Sequence, residues 1–91
     1  MSYKIIIAES YLKKLKKFIK KHPEILERYV KTIEILEINP YHPSLRLHKL
    51  QGKLCEFHSI SINMDYRVII DFIIQDNEII PVDIGTHDDV Y

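Results

Sequence analysis

Apolar residues in the first part of the chain recur with the spacing of α-helices. A β-branched run at residues 4–8 predicts a short strand, and Glu9-Ser10 then offers a helix N-cap. Beyond that cap the apolar positions lie three and four residues apart, which puts them on one face of a helix and the lysines on the other. The members of this apolar face are Tyr11, Leu12, Leu15, Phe18 and Ile19.

A second apolar stripe of helical spacing begins after Pro23, a residue suited to the first turn of a helix. The pattern ends at Asn39-Pro40 and His42-Pro43, because a proline disfavours helical geometry in the residue before it. The two stripes together predict an antiparallel helical hairpin. The second stripe comprises Ile25, Leu26, Tyr29, Val30, Ile33 and Leu36.

The rest of the chain has the composition of a β-sheet. Runs rich in β-branched and aromatic residues span 54–62, 66–75 and 78–84, and the segments between them are short enough for hairpins. They predict a three-stranded antiparallel meander. With the N-terminal strand and the helical hairpin, residues 1–91 are predicted to form a single α+β domain with one twisted sheet.

Alternation within the middle run assigns its side chains to two faces of the sheet. Even-numbered positions from Tyr66 to Ile74 should face the helices, and odd-numbered positions from Arg67 to Ile73 should face away from them. Arg67 is therefore expected to point to an open face of the sheet.

Composition narrows the class of protein. A chain of 91 residues with 46% hydrophobic side chains fits one small domain. No apolar run approaches the ~18 residues of a membrane span, and the N-terminus lacks the apolar stretch of a signal peptide, so a cytoplasmic protein is expected. Cys55 is the single cysteine and is expected in a strand, buried or half-buried. The absence of Cys or His pairs with metal-ligand spacing predicts no metal site, and no cofactor is expected.

The zero net charge hides an asymmetry between the two halves of the chain. Residues 1–39 carry nine Lys or Arg against five Asp or Glu, whereas residues 40–91 carry four against eight. This pattern is typical of a solvated helix face, or of a contact with RNA phosphates or an acidic protein. The basic residues concentrate at Lys13, Lys14, Lys16, Lys17, Lys20 and Lys21.

Several groups able to act on a phosphodiester are predicted to reach the rim of the open face. RNA cleavage without a metal needs a base for the 2′-hydroxyl, an acid for the leaving 5′-oxygen and cations around the transition state. Histidine can act as either the base or the acid, arginine can donate two hydrogen bonds to a phosphate, and tyrosine can stack on a nucleobase. The candidates are His48, Lys49, Lys53, Arg67, His87 and Tyr91.

Each candidate also has a purely structural interpretation. His87 could be an ordinary surface residue after a strand, and Tyr91 could be a hydrophobic residue that packs the C-terminus against the domain. Arg67 could pair with Asp71 or Asp83 across the sheet, which contributes less than ~1 kcal/mol when exposed. Spacing alone leaves these alternatives open.

Three segments of the chain resemble motifs of the RelE and YafQ toxins, which belong to bacterial type II toxin-antitoxin modules and to the RelE/ParE superfamily. The segments read Leu47-His-Lys-Leu-Gln-Gly52, Ile62-Asn-Met-Asp-Tyr-Arg-Val68 and Asp83-Ile-Gly-Thr-His-Asp-Asp-Val-Tyr91. The order of strand, helical hairpin and meander is also similar. The resemblance implies a ribosome-dependent messenger RNA endonuclease that leaves a 2′,3′-cyclic phosphate and is silenced by a cognate antitoxin.

The resemblance also implies roles for individual residues. His87 takes the place of the C-terminal catalytic histidine of YafQ-like toxins, and Tyr91 that of a functional aromatic residue. Arg67 corresponds to the strand arginine that holds the scissile phosphate. Asp65 matches an acidic residue at the hairpin before this strand, and His48 matches a motif histidine.

Two departures from the family pattern stand out. Ser61 occupies a position where YafQ carries a further active-site histidine, so a second proton role would fall to His48, Tyr91 or a lysine. The net charge of zero differs from the basic character usual in ribosome-acting members. Lysines are expected to compensate locally for the zero net charge and to contact RNA or the ribosome. They are Lys13, Lys14, Lys16, Lys17, Lys20, Lys49 and Lys53.

The expected partners follow from the same resemblance. They are a cognate antitoxin, the ribosome with its messenger, and operator DNA reached through the toxin-antitoxin complex; no membrane is expected. The antitoxin is expected to cover the basic and catalytic surface. Two other function classes stay open: a ParE-like toxin that poisons DNA gyrase, and a non-catalytic domain that binds an antitoxin.

Overall fold

The computed structural model describes residues 2–73 and 76–86, where a short strand is followed by two helices and then by further strands, in the order that the apolar pattern predicts. Short 3₁₀ turns lie between some of these elements, at Pro23–Ile25, Pro43–Leu45 and Gly52–Leu54. The regular elements are β1 (Lys4–Ile5), α1 (Glu9–Lys21), α2 (Leu26–Ile38), β2 (His48–Lys49), β3 (His58–Ser61), β4 (Tyr66–Ile73) and β5 (Glu78–Thr86).

Both helices end where the prolines predict, but α1 begins one residue earlier than expected. Its N-cap is Ala8, which offers no side-chain acceptor, so the predicted cap at Glu9-Ser10 is wrong. Glu9 instead lies in the first turn, where a carboxylate suits the positive end of the helix dipole. Asn39 is the C-cap of α2, directly before Pro40. None of the helices in the described part of the chain is long and apolar enough to cross a membrane.

The sheet has five strands in the order β1-β5-β4-β3-β2. The predicted antiparallel meander is confirmed as β3, β4 and β5. Two additional pairings extend it: β1 runs parallel to β5, and β2 runs antiparallel to β3. The predicted first strand at 4–8 is shorter, since β1 has two residues.

The predicted strand at 54–62 is only partly correct, because β3 has four residues, His58–Ser61. The chain before it turns instead of extending, through the 3₁₀ turn that begins at Gly52. Gly52 has φ +73, a left-handed conformation that a residue without Cβ adopts readily. Cys55 lies just after this turn and is exposed, which corrects the expectation of a buried strand cysteine.

The main core lies between the helices and the sheet, on the face predicted from alternation. Val68 and Ile70 of β4 are fully buried there, together with Tyr11 of α1 and Leu36 of α2. The opposite face is not fully open, which corrects the prediction. Ile69 on that face is only 2% exposed because Leu50, Phe57 and Val82 pack against it in a second, smaller cluster.

A register shift in the pairing of β4 with β5 sets which residues meet near the sheet rim. Ile70 pairs with Pro81 and Ile69 with Asp83, so Val82 is an extra residue in β5. Such a bulge also accommodates a proline, which cannot donate to the ladder. After the bulge the register brings Gly85 opposite Arg67.

A pair of tyrosine hydroxyls bonds the two helices to each other inside the core. The hydroxyls of Tyr11 and Tyr29 lie 2.9 Å apart. Burial raises the pKa of both phenols, so each keeps its proton.

We expect Tyr11→Phe to destabilise the protein by about 1–3 kcal/mol, because it leaves the Tyr29 hydroxyl buried without its partner. The double variant Tyr11→Phe, Tyr29→Phe should lose less than the sum of the single variants, since it leaves no orphaned hydroxyl. Urea denaturation of the four proteins measures this coupling. Strictly additive losses would show that the two hydroxyls do not depend on each other.

Candidate active site

Arg67 is the second residue of β4 and lies on the face of the sheet away from the helices. Its register partners are Ser61 on β3 and Gly85 on β5. Gly85 adds no side chain to this row, and Arg67 itself is half-buried. Arg67 therefore stands in a short row of small residues, near the end of β5.

His48 lies on the same face as Arg67, one row further along the sheet. It pairs with Ser59, which in turn pairs with Ile69. Since neighbouring strands lie about 4.8 Å apart and a two-residue step spans about 6.8 Å, the Cα atoms of His48 and Arg67 are separated by roughly 12 Å. The fold thus brings these two predicted site residues to one face of the sheet.

The imidazole of His48 is exposed, and its orientation is set by the backbone before it. Nδ1 lies 3.2 Å from the carbonyl oxygen of Arg46. If Nδ1 carries the proton and donates it to this carbonyl, Nε2 is the nitrogen able to accept a proton. An exposed imidazole held in this way is suited to general-base chemistry near neutral pH.

The turn between β3 and β4 carries Asp65 and is organised by Asn63. Asn63 Oδ1 accepts hydrogen bonds from the backbone N–H groups of Asp65 and Tyr66, both at 2.9 Å. The Ser61 hydroxyl donates to the Asn63 carbonyl at 2.6 Å. Asp65 is left exposed at the tip of the turn, close in sequence to Arg67. Asn63 was not among the predicted residues, although asparagine at the start of a short turn is the signal that identifies such a bond.

The predicted lysines do not form one surface. Lys49 pairs with His58, so its Cβ lies on the helix-facing side of the sheet, opposite to His48. Lys53 is exposed in the 3₁₀ turn at residues 52–54. Lys14 donates to the carbonyl of Val82 at 3.3 Å, and its Nζ is 3.9 Å from Asp83. The other lysines expected to contact RNA on α1 are exposed: Lys13, Lys16, Lys17 and Lys20.

The predicted residues His87 and Tyr91 lie outside the described part of the chain. The strand that leads to them ends at Thr86, whose backbone pairs with Tyr66. That pairing lies one residue from the Arg67 row. The described end of β5 therefore lies beside the Arg67 row.

A second histidine, His58, lies on the helix-facing side of β3, and its pKa is lowered. Its Nδ1 is buried without a hydrogen-bond partner among the described residues. Burial lowers the pKa of His58, and the neighbouring positive charges of Lys49 and His48 lower it further, while Asp71 opposes them. The ring also contacts Phe72, with centroids 5.8 Å apart.

This lowered pKa predicts a pH dependence of stability. Because the unfolded chain binds the proton more readily than the folded protein, the free energy of unfolding should fall as the pH drops through 6.5, the ordinary histidine value, and below it. His58→Leu should show a shallower dependence over the same range. Urea denaturation at a series of pH values between about 5 and 8 compares the two slopes. Equal slopes in the two proteins would contradict this role of His58.

Comparison with known proteins gives consistent results for sequence and for fold. A family model for HigB-like toxins, described as RelE-like toxins of the type II toxin-antitoxin system HigB, matches residues 7–87. No curated protein sequence matches the chain.

Solved structures of toxins share the fold at low sequence identity. YafQ from E. coli strain BL21(DE3) matches with a TM-score of 0.78 and 16% identity, over 98% of each chain. A chain of the E. coli DinJ-YafQ toxin-antitoxin complex matches with a TM-score of 0.77 and 18% identity, over 100% of this chain and 99% of that one. A chain of the RelBE2 toxin-antitoxin complex from Mycobacterium tuberculosis matches with a TM-score of 0.76 and 16% identity, over 96% and 100%.

Proposed function

The chain belongs to the HigB-like family of RelE-like toxins from type II toxin-antitoxin systems, and from that premise we propose that it is a ribosome-dependent, metal-independent messenger RNA endonuclease. The family match supports the resemblance seen in the motifs. The observation that carries the proposed activity is that Arg67 and His48 lie on the same face of the sheet. The register partner of Arg67, Gly85, lies one residue before the end of β5, the strand that leads to His87.

The proposed reaction is an attack of the messenger's 2′-hydroxyl on its own neighbouring phosphate. A general base takes the hydroxyl proton, the O2′–P bond forms, and the P–O5′ bond breaks. A general acid returns a proton to the leaving 5′-oxygen, so the products are a 2′,3′-cyclic phosphate and a 5′-hydroxyl.

In this scheme the cationic group at the phosphate is Arg67. Its guanidinium presents two parallel donors to the phosphate oxygens and stabilises the charge that builds up in the transition state. The proton transfers are assigned to the group of His48, His87 and Tyr91. Asp65, at the neighbouring turn, is proposed to orient one of these partners.

Primer extension on a translated messenger tests the activity. New 5′ ends at codon-aligned positions, produced with ribosomes and absent without them, are the expected result. Intact messenger together with inhibited DNA gyrase would instead identify a ParE-like toxin. Intact messenger with active gyrase, in the presence of a bound antitoxin, would identify a non-catalytic domain.

We propose that four of the exposed lysines of α1, Lys13, Lys16, Lys17 and Lys20, contact ribosomal RNA. Replacing Lys13, Lys16, Lys17 and Lys20 by Gln should weaken ribosome binding and make it less dependent on salt, because fewer counterions are released on binding. Co-sedimentation with ribosomes at several salt concentrations measures both effects. Ribosome binding that stays unchanged would assign these lysines to an ordinary solvated face.

We also propose a cognate antitoxin as the partner, supported by the toxin-antitoxin complexes among the structural relatives. We expect it to cover the cationic and catalytic face. An apolar groove of about 420 Å³ between α1 and α2 offers further contact area for an amphipathic segment of the same partner. Ile7, Leu12 and Val30 line this groove and are 44%, 36% and 46% exposed. Co-purification with the protein encoded by a neighbouring gene tests the proposal.

A further inference from the structure

A groove that contains two arginines lies along the part of β3 that β2 leaves uncovered. Because β2 pairs only with His58 and Ser59, the edge of β3 at Ser61 faces other segments. The groove has a volume of about 440 Å³. We refer to it as the edge groove; it is lined by Arg28, Pro43, Ser44, Arg46 and residues 61–64.

The edge groove is cationic. Its two charged side chains are Arg28 and Arg46, and no described carboxylate lines it. A second depression of about 260 Å³ shares Arg28, Ser44, Ser61 and Ile62 with it and adds another cation, Lys31. Glu24 of the 3₁₀ turn Pro23–Ile25 and Glu27 of α2 lie near Arg28, but neither forms an ion pair with it in the described structure. The groove therefore concentrates positive charge in a protein whose net charge is zero.

We propose that the edge groove binds the phosphodiester backbone of the messenger strand, at a phosphate next to the one that is cleaved. This inference rests on the proposed nuclease function and adds a substrate subsite to it. The subsite would hold the strand in position and would not read its sequence, since phosphate contacts carry no base information.

The hydrogen bond of Arg28 makes it suited to this task. Its Nε donates to the carbonyl of Ile62 at 3.0 Å, which ties the guanidinium to the end of β3. The terminal nitrogens make no hydrogen bond with any described residue. A guanidinium held at one edge in this way keeps two donors in a fixed orientation for an anion.

Arg46 is placed at the groove by an uncommon backbone conformation. It caps the 3₁₀ turn Pro43–Leu45 with φ 49 and ψ 47, the left-handed region that residues other than Gly and Asn rarely adopt. This conformation is unfavourable for a residue with a Cβ atom. The chain tolerates that cost at a position where the arginine side chain lines the groove.

The edge groove adjoins the Arg67 row of the candidate active site at Ser61. Ser61 lines the groove and is the register partner of Arg67, so the groove begins one strand, about 4.8 Å, from the Arg67 strand. On the other side, the carbonyl of Arg46 contacts His48. A single RNA strand that crosses Arg67 at the cleavage position would pass over the edge of β3 into the groove.

The test measures binding of a short single-stranded RNA that cannot be cleaved because its 2′-hydroxyls are methylated. Fluorescence anisotropy at several salt concentrations compares the wild-type protein with Arg28→Gln, Arg46→Gln. The control, Lys4→Gln, Lys21→Gln, changes the net charge equally at exposed positions outside the groove. Thermal unfolding confirms that each variant is folded.

We expect the groove variant to bind the RNA about tenfold more weakly at moderate salt than the control variant. Its salt dependence should be shallower by about 1.4 in log–log slope, because each arginine that no longer neutralises a phosphate of a single strand lowers the slope by about 0.7. Equal affinity and slope in the groove and control variants would overturn the proposal. Equal RNA binding combined with loss of the antitoxin complex would assign the groove to the antitoxin and also overturn it.

Failure of this subsite and failure of the nuclease function are distinguishable. If the wild-type protein cleaves translated messenger and both variants bind RNA equally, only the groove proposal fails. If the wild-type protein neither cleaves messenger nor binds the methylated RNA, the proposed function itself fails. In ribosome reactions the groove variant should need more messenger to reach half-maximal cleavage, while the rate at saturation changes little.

Discussion

Replacing His87 by Ala is expected to lower the rate of messenger cleavage by about 10²- to 10⁴-fold, because the change removes a group proposed to transfer a proton in the reaction. The loss should appear in the rate at saturating messenger and not in ribosome binding. Single-turnover cleavage of ribosome-bound messenger measures it directly.

Three controls separate a catalytic role of His87 from a structural one. His22→Gln changes a half-buried histidine that lies against Phe18 and Tyr66 and has no proton transfer assigned to it, so it should retain cleavage. Added imidazole should restore part of the activity of His87→Ala, since it can supply the missing proton-transfer group. The pH profile of His87→Ala should lose one limb of the wild-type curve. Full activity of His87→Ala would contradict the role.

The helices and the central meander could be predicted because their signals are local. The apolar stripes of three and four residues identify both helices, and the prolines after Lys21 and Ile38 set their ends within a residue. Alternation in β4 correctly assigns Val68 and Ile70 to the core. In each case a short-range pattern coincides with the burial that tertiary structure requires.

The pairing at the ends of the sheet could not be predicted because long-range contacts determine it. The strand predicted at 4–8 is present as β1, with only two residues, and its parallel pairing with β5 has no local signal. β2 also has two residues, too short for an alternating pattern, and was not predicted. The segment before β3 shows the opposite failure. Its apolar residues favour a strand, but the chain turns there, and the partly buried Phe57 packs against Ile69 together with Leu50.

The residues of the candidate site also fall into those that the sequence identifies and those that only the folded structure identifies. Arg67 and His48 stand in motifs, and register then puts them on one face of the sheet, as predicted. Arg28 and Arg46 belong to no motif and come from different segments, so only the folded structure reveals that they share a groove. A cationic surface assembled from distant segments leaves no local signal in the sequence.

Replacing Arg67 by Lys is expected to lower the rate of cleavage by about 10²- to 10³-fold, although the positive charge is kept. The lysine ammonium is a compact point charge, whereas the guanidinium offers two parallel donors that match two phosphate oxygens. Arg67→Gln should lower the rate further, because it removes the charge as well. Single-turnover cleavage on the ribosome compares the three proteins.

The position of Arg67 makes the lysine exchange a sensitive test of geometry. Its row consists of Ser61, Arg67 and Gly85, and neither neighbour carries a side chain long enough to replace the missing donors. The reverse exchange at an exposed strand position, Lys4→Arg, serves as the matched control and should leave cleavage unchanged. If Arg67→Lys cleaved as fast as wild type, a single positive charge would suffice at the phosphate, and the bidentate contact proposed for Arg67 would be wrong. If Arg67→Gln also cleaved at the wild-type rate, the phosphate would have to be held by other groups, and the candidate active site would lose its central residue.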